Sequence, residues 1–177
     1  MGVWPKSTIH PDVLKTYKRR WVFDLDNTLV YTHTAVIQAY KAAGVIMPPE
    51  AWGRPWREWT TQDVHDRKCK LYPHILKRYA WTDELFLHAM SMYAPVITGA
   101  SEAAVIALRE LFGELNVQLM EATRLDKVNW LNEHPVGIYV DDDEGTRALV
   151  KEGTSWEVMT PAQALQQLSS QPEKTSG

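Results

Sequence analysis

The feature that most constrains this chain is an alternation of short apolar runs with helical stretches. Strand-length runs rich in Val, Ile or aromatics occur at Trp21-Val22-Phe23, Ala94 to Thr98, Val117 to Met120, Val136 to Val140 and Trp156 to Met159. Helical patterns separate the last four. Ser101 caps a helix with Val105, Leu108, Leu111 and Phe112 on one face and Gly113 as its stop. A second helix runs from about Asp126 to Glu133 before Pro135, and a third from about Glu144 to Lys151 before Gly153. Thr160-Pro161 opens the helix PAQALQQL. Strands alternating with helices predict βαβ units, hence an α/β fold with a parallel sheet covered on both faces.

In such sheets ligands gather beyond the carboxyl ends of the strands. The residues following the runs are Asp24 to Thr28, Thr98 to Ser101, and Asp141 to Asp143. Carboxylates and hydroxyls therefore stand where a site is expected. One stretch breaks the alternation. Residues 31–92 are too long for one crossover helix. They hold a helix ending at Gly44, a Pro- and Trp-rich loop, a helix around Asp63 to Tyr79 interrupted near Pro73, and a helix capped by Thr82. The expected organisation is an N-terminal extension over 1–20, a core of 21–30 and 93–168, a crossover with a small helical insertion over 31–92, and a disordered tail over 169–177.

Composition narrows the function classes. The length of 177 residues fits one domain with a real core. A net charge of −3 argues against a general nucleic-acid binder. Cys69 is the single cysteine, so no internal disulfide forms and a reducing, cytoplasmic setting is expected. The N-terminus lacks a signal-peptide pattern, and no apolar run approaches a membrane span.

The segment Asp24-Leu25-Asp26-Asn27-Thr28 leaves a strand with two carboxylates one residue apart. Mg²⁺ prefers such oxygen ligands. Asp24 can hold the ion with one oxygen and attack phosphorus with the other, while Asp26 serves as acid and then base. A calcium-binding loop starting at Asp24 fails, because Leu29 and Ala35 occupy its sixth and twelfth positions. Thr98-Gly99, with Ser101 opening a helix, makes a phosphate cradle, although alone it also fits an ordinary cap. Lys127 in a first helical turn opposes the helix dipole and so favours an anionic partner such as a substrate phosphate or the Asp24 carboxylate, although alone it fits a surface lysine better. Asp141-Asp142-Asp143 concentrates negative charge at a strand end, costly without a cation, although a solvated turn and helix start would also accept acids.

Together these residues resemble the haloacid dehalogenase superfamily of aspartate-nucleophile phosphohydrolases. FDLDNTL looks like its first motif, VITGAS its second, Lys127 in LDKVNWL its third, and IYVDDDEG its fourth. The resemblance covers roughly residues 21–166. It implies a three-layer Rossmann-like core and a Mg²⁺ ion held by Asp24, the backbone carbonyl of Asp26, and an acid of the Asp141–Asp142 pair. It implies Asp24 as nucleophile, Asp26 as acid/base, and phosphate binding by Thr98, Gly99 and Lys127. Pump-type ATPases of the superfamily carry Thr two residues after the nucleophile, and dehalogenases also lack the second Asp; Asp26 favours ester hydrolysis. The triple Asp leaves open which two acids serve the metal.

The insertion following the first motif looks like a small helical cap. Its segment Trp52-Gly-Arg-Pro-Trp-Arg-Glu-Trp59 makes Arg54, Trp56 and Arg57 candidate recognition residues for a phosphate and a base or sugar face. The competing reading has Trp52, Trp56 and Trp59 filling a small core. His65, His74 and His88 lack metal-ligand spacing. The expected activity is hydrolysis of a small phosphomonoester such as a nucleotide or sugar phosphate. A phosphomutase, a phosphatase of nucleic-acid ends, and a non-catalytic interaction protein of the same fold are the alternatives. The oligomeric state is not encoded in any of these features.

Overall fold

The computed structural model describes residues 20–119 and 124–170. The basic lead-in through Arg19 and the end of the tail, 171–177, lie outside the described residues. The strands are β1 (Trp21–Phe23), β2 (Val30–Tyr31), β3 (Trp81–Thr82), β4 (Val96–Thr98), β5 (Val117–Leu119), β6 (Ile138–Val140) and β7 (Glu157–Met159). The α-helices are α1 (His33–Ala42), α2 (Gln62–Tyr79), α3 (Glu84–Met92), α4 (Glu102–Phe112), α5 (Arg124–Asn132), α6 (Glu144–Gly153) and α7 (Pro161–Ser170).

Side-chain alternation along the central strands separates two apolar layers. Trp21 and Phe23 of β1 join one cluster, and Val22 joins the other. In β6, Ile138 and Val140 face the first layer and Tyr139 the second; in β4, Val96 and Ile97 divide the same way. Leu85, Phe86 and Ala89 of α3, Val105 and Leu108 of α4, and Ala164 and Leu168 of α7 fill the first layer. Val128 and Leu131 of α5 and Val150 of α6 fill the second, with Trp156. The buried Trp156 indole donates to the Leu131 carbonyl at 2.8 Å, so its polar atom is satisfied. The result is a three-layer α/β/α fold.

The main sheet runs β5-β4-β1-β6-β7, every neighbouring pair parallel. β1 is central. The registers Phe23↔Val96 and Phe23↔Val140 deliver Asp24, Thr98 and Asp141 to one end of the sheet. Asp24 N–H still donates to the Val140 carbonyl at 2.9 Å, which fixes the start of the loop after β1.

The insertion departs from the sequence-based expectation in three ways. First, α2 is continuous through Pro73. Leu76 is fully buried in the first layer, and Tyr72, Ile75 and Tyr79 pack against it. That tertiary burial outweighs the lost hydrogen bond at proline. Second, Thr82 does not cap α3; it lies in β3, and the Asp83 carboxylate accepts the Leu85 N–H at 3.0 Å instead. Third, β2 and β3 form an antiparallel pair, Val30↔Thr82 and Tyr31↔Trp81, that closes the base of the insertion. At the other end of the chain, α7 continues to Ser170, past the expected end at Leu168. Among the described residues no helix is long and apolar enough to cross a membrane.

Candidate active site

Loop geometry places the first carboxylates. The Leu25 carbonyl accepts N–H groups from Thr28 (3.3 Å), Leu29 (3.0 Å) and Val30 (3.1 Å), a tight turn. Asn27 adopts φ 59, a left-handed conformation that Asn tolerates better than most residues. Its Oδ1 accepts from Thr32 N (3.1 Å) and His33 N (3.2 Å), satisfying first-turn donors of α1. Leu25 and Leu29 are fully buried and anchor the turn. It thereby folds Thr28 back onto Asp24, whose Oδ2 accepts from Thr28 Oγ1 at 3.0 Å.

Asp24 is 7% exposed. Lys127 Nζ lies 2.6 Å from its Oδ1 and 3.3 Å from Asp141 Oδ2. Burial pushes the Asp24 carboxyl up to about 6, although Lys127 works against the rise. Burial also pulls Lys127 down, but Asp24 and Asp141 together hold it above its ordinary value. Lys127 thus has anionic partners in Asp24, as the sequence suggested, and in Asp141.

The three consecutive acids take different tasks. Asp141 is 1% exposed; it accepts from the Tyr139 phenol, from Lys127, and from Asp143 N at 2.9 Å. Burial, then the Asp24 charge, raises it to about 6. Asp142 is joined to Thr28, its N–H donating to Thr28 Oγ1 at 3.0 Å. Asp143 caps α6, accepting from Thr146 N at 3.0 Å and Thr146 Oγ1 at 2.5 Å, and pairs with Arg124 at 2.9 Å. Burial works to raise Asp143, yet the Thr146 bonds and Arg124 leave it below its usual range. Asp24, Asp141 and Asp142 each offer an oxygen within 4.8 Å of the others. Three carboxylates against one ammonium leave an excess of two negative charges in an all-oxygen donor set. A hard divalent cation fits that set.

Asp26 turns its carboxylate elsewhere. It is not among the three clustered acids; Oδ1 accepts from Thr32 Oγ1 at 3.0 Å. Burial raises its pKa, with the Thr32 bond and the charges of Lys127 and Lys68 opposing. Lys68 comes from α2 and lies over the rings of Tyr72 (4.2 Å) and Tyr40 (5.3 Å). Sequence reasoning missed Thr28, Tyr139, Thr32 and Lys68. Thr28 and Tyr139 lie inside the first and fourth motifs, within four residues of Asp24 and Asp141, and so carried a local signal; Thr32 lies beyond the first motif and Lys68 comes from α2, so their relation to Asp26 appears only in the fold.

Thr98 is buried, and its Oγ1 accepts the Ala100 N–H at 3.0 Å; Ser101 Oγ accepts Ala104 N at 3.2 Å and caps α4. A Cβ at Gly99 would meet nothing within 4 Å, so the strand end beside Thr98 is open.

A cleft of about 380 Å³ adjoins the acids, lined by Asn27, Tyr31, His33, Trp52, Trp81 and Asp142 among others. Arg54, Trp56 and Arg57, the expected recognition residues, do not line it. Arg54 pairs with Glu58 at 2.8 Å, Arg57 lies over Trp56, and Trp56 stacks on His65 at 4.1 Å. His65 in turn bonds the Tyr40 hydroxyl at 2.9 Å, giving it a packing role between α1 and α2. The Trp segment therefore divides: Trp56 and Trp59 pack inward against His65 and Tyr40, while Trp52 is 41% exposed.

No family model matches the sequence, and no curated protein matches it significantly. Solved structures do match. A haloacid dehalogenase-like family hydrolase from Streptococcus pneumoniae superposes with TM-score 0.54 at 14% identity, covering 85% of this chain and 98% of that one. A protein assigned as a beta-phosphoglucomutase from Thermotoga maritima gives 0.51 at 14%, covering 86% and 99%. A hydrolase from Pseudomonas syringae gives 0.51 at 12%, covering 86% and 98%. The chain has the haloacid dehalogenase-like fold, including the α/β parallel sheet expected from its alternating runs.

Proposed function

We propose that the chain is a Mg²⁺-dependent phosphohydrolase of the haloacid dehalogenase superfamily, acting on a small phosphomonoester through an aspartyl-phosphate on Asp24. One observation carries this reading. Asp24, at the end of the central strand, has Lys127 on one oxygen at 2.6 Å and Thr28 on the other at 3.0 Å. A buried carboxylate so held is oriented for attack rather than merely solvated.

The phosphoryl group binds against Lys127, Thr98 and the N–H groups around Gly99. An Asp24 oxygen forms a bond to phosphorus as the ester P–O bond breaks, and Asp26 gives its proton to the leaving alkoxide. Asp26, now ionised, takes a proton from water; the water oxygen bonds phosphorus and the Asp24–phosphorus ester opens. Burial raises the Asp26 pKa, the direction that favours holding a proton for the leaving oxygen. Asp24, Asp141 and Asp142 would hold Mg²⁺, with the Asp26 backbone carbonyl as a further ligand. Mg²⁺ supplies neutralisation of the phosphate charge there. The setting is cytoplasmic in this reading, and the partner is a small phosphorylated substrate.

The test is Mg²⁺-dependent phosphate release from a panel of phosphomonoesters by wild type and Asp24→Asn. Activity in wild type and its loss in the variant are expected. Equal rates, or no release by either protein from any substrate, would sink the reading. Asp26→Asn is expected to trap phosphate on Asp24 while turning over poorly.

A further inference from the structure

Seven tryptophans lie among the described residues: Trp21 and Trp156 are buried, Trp56, Trp59 and Trp130 are half-buried, and two are exposed, Trp81 at 53% and Trp52 at 41%. Both line the cleft beside Asp142. Exposing two indoles at one place forfeits burial that other tryptophans of the chain obtain.

Each exposed indole is held flat by a neighbour. Trp81 stacks on Tyr31 with ring centroids 4.1 Å apart and planes 22° apart. Trp52 stacks on His33 at 3.6 Å and 26°. Tyr31 is itself fixed, its hydroxyl donating to Asp83 Oδ2 at 2.7 Å, and Asp83 caps α3. Rings braced in this way keep their outer faces available at low entropic cost to a ligand. Among the lining residues there is no Lys or Arg, and Asp142 adds negative charge. A second phosphate or a nucleic-acid backbone would find no lysine or arginine here. Asn27 Oδ1 is taken by the Thr32 and His33 N–H groups, so what Asn27 offers a ligand is its amide N–H donors. The cleft volume of about 380 Å³ is in the range of sites for one small molecule, roughly 300–1,000 Å³.

We propose that this cleft is the leaving-group subsite and takes a planar, uncharged aromatic ring against Trp81 and Trp52, so that the substrate is a ring-bearing phosphomonoester. The proposal rests on the phosphohydrolase reading above for the position of the phosphate. Its ring has two chemical sources, a nucleoside monophosphate or an aryl-bearing alkyl phosphate, and the experiment separates them.

The full chain is assayed with Mg²⁺ on two matched pairs whose leaving alkoxides are alike: adenosine 5′-monophosphate with ribose 5-phosphate, and benzyl phosphate with cyclohexylmethyl phosphate. At least one ring-bearing member is expected to exceed its ring-free partner in kcat/KM by about tenfold or more, the scale of one stacked ring. The pair with the larger ratio identifies the source. Trp81→Leu and Trp52→Leu, which lie on different elements, are each expected to reduce that ratio about tenfold. Calorimetric titration of wild type and both variants with adenosine and benzyl alcohol gives a readout independent of turnover.

Ratios near one in both pairs, with all four substrates hydrolysed, overturn the subsite and leave the phosphohydrolase reading standing. A clear ratio that neither variant reduces also overturns it. Failure to hydrolyse any substrate, with ring binding that both variants weaken, keeps the ring-binding cleft but overturns its role as a leaving-group subsite and counts against the catalytic reading.

Discussion

Thr28 and Asp142, 114 residues apart in sequence, are joined at two points. Asp142 N–H donates to Thr28 Oγ1 at 3.0 Å, and the same hydroxyl lies 3.1 Å from Asp142 Oδ1. It also lies 3.0 Å from Asp24 Oδ2. A hydroxyl has one proton, so it serves one carboxylate at a time and leaves the other short of a positive partner. Thr28 thereby sets the spacing of Asp24 and Asp142 while leaving their charge to a cation.

Thr28→Val keeps the shape but removes that proton and acceptor. The variant is expected to lose Mg²⁺ affinity by about tenfold or more, the usual scale for a group that orients metal ligands. Thr28→Ser is expected to restore most of it. Calorimetric Mg²⁺ titration of wild type and both variants measures the effect.

The Lys127–Asp24 contact is nearly buried, with side chains 12% and 10% exposed. Lys127→Ala strands two buried carboxylates, Asp24 and Asp141. Metal-free protein is expected to lose about 3 kcal/mol of stability, the scale for breaking one side of a buried pair. Phosphatase kcat is expected to fall on the order of 10²- to 10³-fold, as for loss of one preorganised charge-stabilising donor. Urea unfolding and steady-state kinetics report the two effects separately.

The pH dependence of metal-free stability has a definite sign. Asp24 is raised from 3.8 to about 6, chiefly by burial. Between those values the folded state binds more protons than the unfolded state, so this group favours folding as pH falls from about 6 towards 4 and opposes it at neutral pH. Metal-free Asp24→Asn is therefore expected to exceed wild type in stability at pH 7, by on the order of 2 kcal/mol, and to lose much of that advantage at pH 5. Denaturation midpoints of both proteins at the two pH values check this. Taking the difference removes the opposing contribution of His65, which burial lowers.

Neighbouring acids are expected to respond differently. Asp143→Ala removes a helix cap and the Arg124 partner. It should cost about 1 kcal/mol of stability with little change in Mg²⁺ affinity. Asp142→Ala should do the reverse, weakening Mg²⁺ binding strongly. Parallel unfolding and Mg²⁺ titrations of the two variants decide between these acids, which the sequence presents as equivalent.

The strand-and-helix order was legible because β-rich runs and caps are local signals. Ser101, Gly113 and Thr160 mark helix ends through bonds that reach at most a few residues along the chain. The Pro73 expectation failed because the energy holding α2 together comes from Leu76 and its neighbours in the core, not from the helix itself. The β2–β3 pair escaped notice because two-residue strands carry no periodicity, and their partners lie about 50 residues apart.

The sequence by itself determined that Asp24 and Asp141 follow apolar strands and that Thr98 ends one. In a parallel sheet, chain direction alone brings such residues to one edge, whatever the details of packing. Tertiary structure decided the rest. It separated Asp142 from Asp143, gave Lys127 its carboxylate partners, and put Trp52 and Trp81, rather than Arg54, Trp56 and Arg57, in the cleft beside Asp142. Those outcomes depend on which side chains meet across elements, and neither composition nor spacing along the chain encodes that meeting.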